Sequence, residues 1–178
     1  MSSLWNNIFR QKNDEETLAS FLENVHVFNE LEKGDFKYLE HLIHARNYHA
    51  DETVFEKGDP GSGMYIIRTG KVTLFNRNQR NEEQEMAILG SGEIFGKTTL
   101  AAPAPRTFSA RTNEATELLG LFRSDLLEIT TKHPEIACRI LLGLIKGISE
   151  QLQRATIEIT ALEQINHDLE NSTCGDSL

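Results

Sequence analysis

A heptad stripe near the C-terminal end constrains this chain more than any other feature. Ile145, Leu152, Ile159 and Asn166 form one set, and Leu141, Ile148, Ala155, Leu162 and Leu169 the other, with spacings that alternate four and three. Sustained over about four heptads and polar only at Asn166, the pattern predicts a coiled-coil helix. An unpaired helix exposing such a stripe would be prone to aggregate. The stripe therefore predicts a parallel homodimer through Leu141, Ile145, Ile148, Leu152, Ile159 and Leu162, in preference to a helix folded back on its own domain. Asn166 either fixes register across the dimer axis or marks where the helix frays. Glu158 and Glu163 flank the stripe and would repel across a parallel pair, which makes the expected affinity modest. Gly143 and Gly147 each weaken the first turns by up to ~1 kcal/mol relative to alanine. Their presence predicts close packing there against a β domain.

The β signal lies upstream, from about Arg46 to Phe122. Runs of β-branched and aromatic residues alternate with polar ones between Gly, Pro, Asn and Asp. The predicted strands are Asn47–Ala50, Thr53–Glu56, Met64–Arg68, Val72–Asn76, Glu85–Leu89, Phe108–Arg111 and Glu117–Phe122. Short strands with turns close together indicate an antiparallel sandwich or roll and not βαβ units. The polar stretch "NRNQRNEEQ" suits an exposed hairpin tip. Before the strands, from Asp14 to about Ala45, apolar residues recur at helical spacing (Leu18, Phe21, Leu22, Val25; Phe36, Leu39, Leu42, Ile43), with "EKGD" breaking the pattern between them. Two or three short helices are expected there. After the strands, Ser124 is the expected N-cap of a helix over "DLLEIT", and Pro134 the first turn of the long one.

The predicted organisation is a segment 1–20, amphipathic or flexible; a unit 21–133 of helices and roll; a long coiled-coil-like helix 134–170; and a disordered tail 171–178. Leu4, Trp5, Ile8 and Phe9 share one face, which could anchor residues 1–12 to a membrane surface or a partner, or pack on the chain's own domain. No apolar run approaches the roughly 18 residues of a membrane span. Cys138 and Cys174 lack metal-type spacing and no signal peptide precedes them, so a reducing cytoplasm is the expected setting. The net charge of −9 opposes nucleic acid as a partner but leaves room for a small anion at a local basic spot.

One loop has that character. "GEIFGKTTLAAPAPRTFSA", from Gly92 to Ala110, holds two glycines about one acid, then Lys97, then Arg106 after Pro103 and Pro105. Glycines let backbone N–H groups approach an anion, and an arginine fork matches two phosphate oxygens. Together with "VFEKGDPGSGMYIIRTGKVTLF" upstream, the long helix downstream, and Gly58, Gly61, Gly70, Gly92 and Gly96, this loop resembles the cyclic nucleotide-binding domain of catabolite activator proteins and protein kinase A regulatory subunits. The resemblance covers roughly residues 21–150. It implies an α+β fold: an antiparallel β-roll of the double-stranded β-helix or jelly-roll kind, with N-terminal helices and a long C-terminal dimerisation helix. It implies a non-enzymatic sensor whose effector is a cyclic nucleotide, cAMP or cGMP. It also implies that Gly96 to Arg106 is a phosphate cassette, with Arg106 the phosphate ligand, Thr107 a hydroxyl helper, and the amides around Gly96, Thr98 and Thr99 backbone donors.

Lys97 departs from the family, which usually has glutamate there to accept from the ribose 2′-hydroxyl. An ammonium has three donors and no acceptor. Losing that charge-assisted bond costs on the order of 1.5–3 kcal/mol, or about ten- to hundred-fold in affinity. Three readings stay open: a cyclic mononucleotide sensor of altered affinity, a sensor of another anionic effector, and a degenerate pocket serving for dimerisation and docking to a protein. Gln151 and Arg154 are the candidates on the long helix to face a base.

Other chemistries find little support. No nucleophile elbow or P-loop is present, since "GKTT" lacks the upstream glycine, and no catalysis is expected. His41 and His44, at the spacing of a helical turn, and His49 lack the further ligands of a metal site, and no metal is expected. Activators of the resembled family carry a winged helix-turn-helix after the long helix. Only "NSTCGDSL" follows Glu170 here, so direct DNA binding is not expected and the downstream partner is an unknown protein.

Overall fold

The computed structural model describes residues 17–175, with side chains through residue 167. The apolar face read in residues 1–12 lies outside the described residues. Two short helices come first, α1 (Leu18–Glu23) and α2 (Lys33–Leu39), with a 3-10 turn at His26–Phe28 between them. The strands β1 (His44–Tyr48), β2 (Thr53–Phe55), β3 (Pro60–Gly61), β4 (Gly63–Thr69), β5 (Val72–Arg77), β6 (Glu83–Leu89) and β7 (Ile94–Phe95) follow. The chain continues through α3 (Thr98–Ala101), β8 (Ala104–Pro105), β9 (Ser109–Thr112) and β10 (Thr116–Phe122), then α4 (Arg123–Lys132) and the long α5 (Pro134–Gly175).

All strand pairing is antiparallel, in sheets ordered β1-β10-β4-β7 and β2-β9-β5-β6, with β3 on β8 as a small third. This is the expected roll between N-terminal helices and a long C-terminal helix. Alternation along β4 and β10 explains how one sheet serves two cores. Leu119 pairs with Ile66 and Leu121 with Met64, and all four face the helices beside Leu22, Phe28, Leu39, Ile129 and Ile140. Leu118, paired with Ile67, faces the other way into the roll with Phe55, Val72 and Phe95. All seven predicted strands are present. β3, β7 and β8 were not predicted, since a two-residue strand cannot display alternation and two of them contain proline.

Four local expectations need correction. "EKGD" does not interrupt the helices but opens α2, because the Glu32 N–H donates to Asp35 Oδ2 (2.9 Å) and caps the first turn. Arg139 of α5 locks that turn, Nη1 donating to Asp35 (2.7 Å) and Nη2 to Glu32 (2.6 Å). Ser124 is not the cap of α4, which starts at Arg123 with Asp125 Oδ2 accepting from the Phe122 N–H (2.8 Å). His41 and His44 do not share a helix, since α2 ends at Leu39 and His44 opens β1. Finally, α5 runs on to Gly175, into the stretch read as a tail, because nothing between Glu170 and Gly175 breaks a helix.

Helix α5 is docked through a missing side chain. A Cβ on Gly143 would lie 1.9 Å from the Val27 carbonyl oxygen, so only glycine lets the helix approach the 3-10 turn. The close packing expected at Gly143 is therefore against that turn and not the β-roll. Past it, α5 leaves the core: Ile145, Leu152, Ile159 and Leu162 are more than half exposed, Ile148 is exposed, and Leu141 is half-buried against the core. Glycine to alanine inside a helix ordinarily stabilises. At Gly143 the clash should outweigh that gain, lowering stability by about 1–3 kcal/mol. Urea unfolding of Gly143→Ala checks the sign, and an unchanged or higher midpoint would refute the tight contact.

Candidate functional site

The Gly96–Arg106 segment lies against one end of the roll. β7 delivers the chain to Gly96, whose φ of +74° turns it sharply, and Lys97 enters the helical region just before α3. β8 then carries it past Pro103, with Pro105 paired to Pro60, back into the protein at Arg106.

Arg106 is only 6% exposed. Its Nη1 donates to the carbonyls of Gly63 (2.9 Å) and Gly96 (3.2 Å) and to Thr99 Oγ1 (2.9 Å), and its guanidinium carbon sits 4.3 Å from the Phe55 ring centroid. Burial pulls its pKa below the ordinary arginine value, partly opposed by Tyr65 and Asp59. Its Nε is buried with no hydrogen-bond partner among the described residues. Glycines wall the chamber, since a Cβ on Gly96 would lie 2.4 Å from Nη1 and one on Gly61 2.8 Å from Nε. Thr99 completes it, within 3.1 Å of both the Gly63 and Gly96 carbonyls.

On the outer side of Gly96 opens a cleft of about 470 Å³. Leu74, Leu89 and Phe108 form an apolar floor, Gly96, Lys97 and Thr98 one wall, and Gly147, Gln151 and Arg154 of α5 the facing wall. His26, Glu93 and Glu150 also line the cleft. Lys97 is half-buried, and its Nζ reaches to 3.9 Å from where a Gly147 Cβ would be, beside His26 Nε2 at 3.3 Å. Burial lowers the Lys97 pKa first, Arg154 lowers it further, and Glu150 works against both. His26 is lowered as well, by burial and then by Lys97. A wider hollow of about 690 Å³ lies between α1 and the β4–β10 pair, but its charged residues Arg68 and Glu117 pair with each other at 3.3 Å, and none of Gly96 to Arg106 lines it. The smaller cleft is the candidate.

The structure brings Gly96, Lys97 and Thr98 together on the cleft and puts Gln151 and Arg154 opposite them. Thr99 and Arg106 lie one glycine deeper, bonded to each other. Thr107 is exposed and does not line the cleft. The backbone donation expected of Thr99 is already directed to the Gly96 carbonyl at 3.3 Å. His26, Glu150 and the Phe55 ring under Arg106 were missed. No local motif points to them, because each arrives from a distant element.

The model of the family described as "Cyclic nucleotide-binding domain" matches residues 45–133, half of the chain. The chain belongs to this family. The cyclic AMP receptor protein of Thermus thermophilus is 35% identical over 117 residues, which are 66% of this chain and 52% of that protein. The crystal structure of the Thermus thermophilus catabolite activator protein superposes with a TM-score of 0.69 at 31% identity, over 77% of this chain and 62% of that one. The N-terminal domain of a transcriptional regulator from Streptomyces coelicolor A3(2) gives 0.69 at 25% identity, over 76% of this chain and 94% of that one. The chain spans a little over half the length of these curated relatives. Among the described residues no helix is long and apolar enough to cross a membrane.

Within the site, Thr99 is the residue whose role is separable. Thr99→Val removes an acceptor of Arg106 and a hydroxyl beside two buried carbonyls, and should lower stability by about 1–3 kcal/mol. A thermal melt matching wild type would remove Thr99 from the frame.

Proposed function

We propose that the chain is a cyclic nucleotide-responsive regulatory module, a non-enzymatic homodimer that transmits effector binding through α5. One observation carries the reading: the cleft beside the cassette is walled on its far side by the same helix that exposes the heptad seam. The residues fit a cyclic phosphate in part. Arg106 has a buried Nε without a partner beside Gly61, and its Nη1 lies behind Gly96 of the cleft wall; it would hold the phosphate together with Gly96 and the turn at Thr98 and Thr99. Thr107, at the surface, would assist only from outside the cleft. The apolar floor suits a base, and Gln151 and Arg154 would face it.

A site shared by roll and helix couples binding to helix position whenever the two arrangements differ in affinity. Here α5 touches the cleft through Gly147, Gln151 and Arg154 and presents Ile148, Leu152 and Ile159 on an adjoining face, so a tilt that closes the cleft also reorients the seam. A second reading, a docking module with a degenerate pocket, is favoured by one fact: Arg106 already bonds the protein's own carbonyls. A third reading keeps the site but changes its anion.

Calorimetric titration with cAMP and cGMP separates these readings. Wild type should bind one of them, and Lys97→Glu, which restores an acceptor, should bind about ten- to hundred-fold more tightly. Tight binding by Lys97→Glu alone would reject the mononucleotide sensor, and no binding by either would favour the docking module. For the dimer, analytical ultracentrifugation should show two copies in wild type and one in Leu152→Glu, whose charge falls on the exposed seam away from the core. A wild-type monomer at high micromolar concentration would reject the coiled coil.

A further inference from the structure

We propose that the effector of this cleft carries a second acidic group, seated at Lys97 between His26 and Arg154, in addition to the phosphate assigned to Arg106. The proposal rests on the cyclic nucleotide reading of the same cleft. Its starting point is an unsatisfied ammonium. Lys97 is half-buried, yet among the described residues it makes no hydrogen bond or ion pair. Burial penalises the charged form of Lys97, and an anion bound beside it offsets that penalty.

The two carboxylates that line the cleft, Glu93 and Glu150, form no ion pair with Lys97. Glu93 Oε2 accepts from the Gly90 N–H at 2.7 Å and is held on its own turn. Glu150 is exposed on α5 and pairs with neither Lys97 nor Arg154. Arg154 lowers the Lys97 pKa more than Glu150 raises it, and Lys97 and Arg154 both line the cleft. A Cβ on Gly147 would sit 3.3 Å from His26 Nε2 and 3.9 Å from Lys97 Nζ, so glycine leaves this corner of the cleft open.

A neutral ribose hydroxyl would bring Lys97 and Arg154 no negative charge. A carboxylate or phosphate accepts from Lys97 and Arg154 together and gains charge assistance from both. Such a group can reach the site in two ways: as an acid attached at the 2′ oxygen of a cyclic mononucleotide, or as the second phosphate of a cyclic dinucleotide. Both present one acid to Arg106 and another to Lys97.

The probes are cAMP, 2′-O-succinyl-cAMP and cyclic di-AMP, titrated calorimetrically into wild type and Lys97→Met, with thermal melts confirming that the variant folds. One two-acid probe should bind wild type at least about ten-fold more tightly than cAMP. The succinyl derivative winning would identify an acid on the sugar, and the dinucleotide a second phosphate. In Lys97→Met the two-acid probe should lose its preference and bind no more tightly than cAMP. If cAMP binds wild type as tightly as both two-acid probes, or if the preference survives Lys97→Met, the inference fails while the cyclic nucleotide reading stands. If neither cGMP nor any of these probes binds wild type, both fail.

Discussion

The buried guanidinium of Arg106 is the constraint around which this end of the roll is organised. A charged side chain can stay inside a protein only if its donors find acceptors. Here they come from three places in the sequence: the Gly63 carbonyl at the start of β4, the Gly96 carbonyl after β7 and the Thr99 hydroxyl of α3. Phe55 of β2 supplies an aromatic face beneath. One side chain thus ties together β2, β4 and the cassette, and glycine at 61 and 96 is the steric condition for it to fit. The cleft wall is consequently the outer surface of a hydrogen-bonded frame, which holds Lys97 and Thr98 in place without touching them.

The opposite wall depends on a different constraint. The Val27 carbonyl occupies the space a side chain at 143 would need, so α5 is pinned one turn before it reaches the cleft. From that pin the helical repeat distributes three tasks around one element. Ile136, Ile140 and Leu144 are buried in the core, Gly147, Gln151 and Arg154 face the cleft, and Ile148, Leu152 and Ile159 remain outside. Because these faces belong to one rigid helix, the cleft and the exposed stripe cannot move independently.

Much of this was legible in the sequence where the signal is periodic or combinatorial. Strands of five or more residues announced themselves by alternation, and α5 by its heptads. The cassette was legible because its glycines, prolines and Arg106 occur together in order. What was not legible is set by distance or by brevity. Nothing near Arg106 indicates that it faces Gly63 and Phe55 instead of the cleft, because those partners come from other strands. His26 and Glu150 meet Lys97 only because α5 returns over the 3-10 turn. "EKGD" reads as a break by composition and becomes a helix start only because Asp35 reaches back to Glu32 and Arg139 arrives from α5 to hold both. Gly143 illustrates the middle case: the residue type revealed a close contact, but not with what.

Position 97 can be separated from the rest of this framework. The contacts that keep Arg106 in place run through Gly61, Gly63, Gly96, Thr99 and Phe55, and none involves the side chain at 97. A change there from an acceptor to a donor leaves the roll, the cassette turn and the helix contact intact, while reversing the polarity of the group that a ligand meets first at that end of the cleft. Arg154, one wall away, adds to the reversal, and the half-buried setting of Lys97 strengthens its effect by limiting solvent screening. Ligand chemistry at this end can therefore be retuned without rebuilding the fold. The frame that holds Arg106 is therefore independent of the charge that position 97 presents to the cleft.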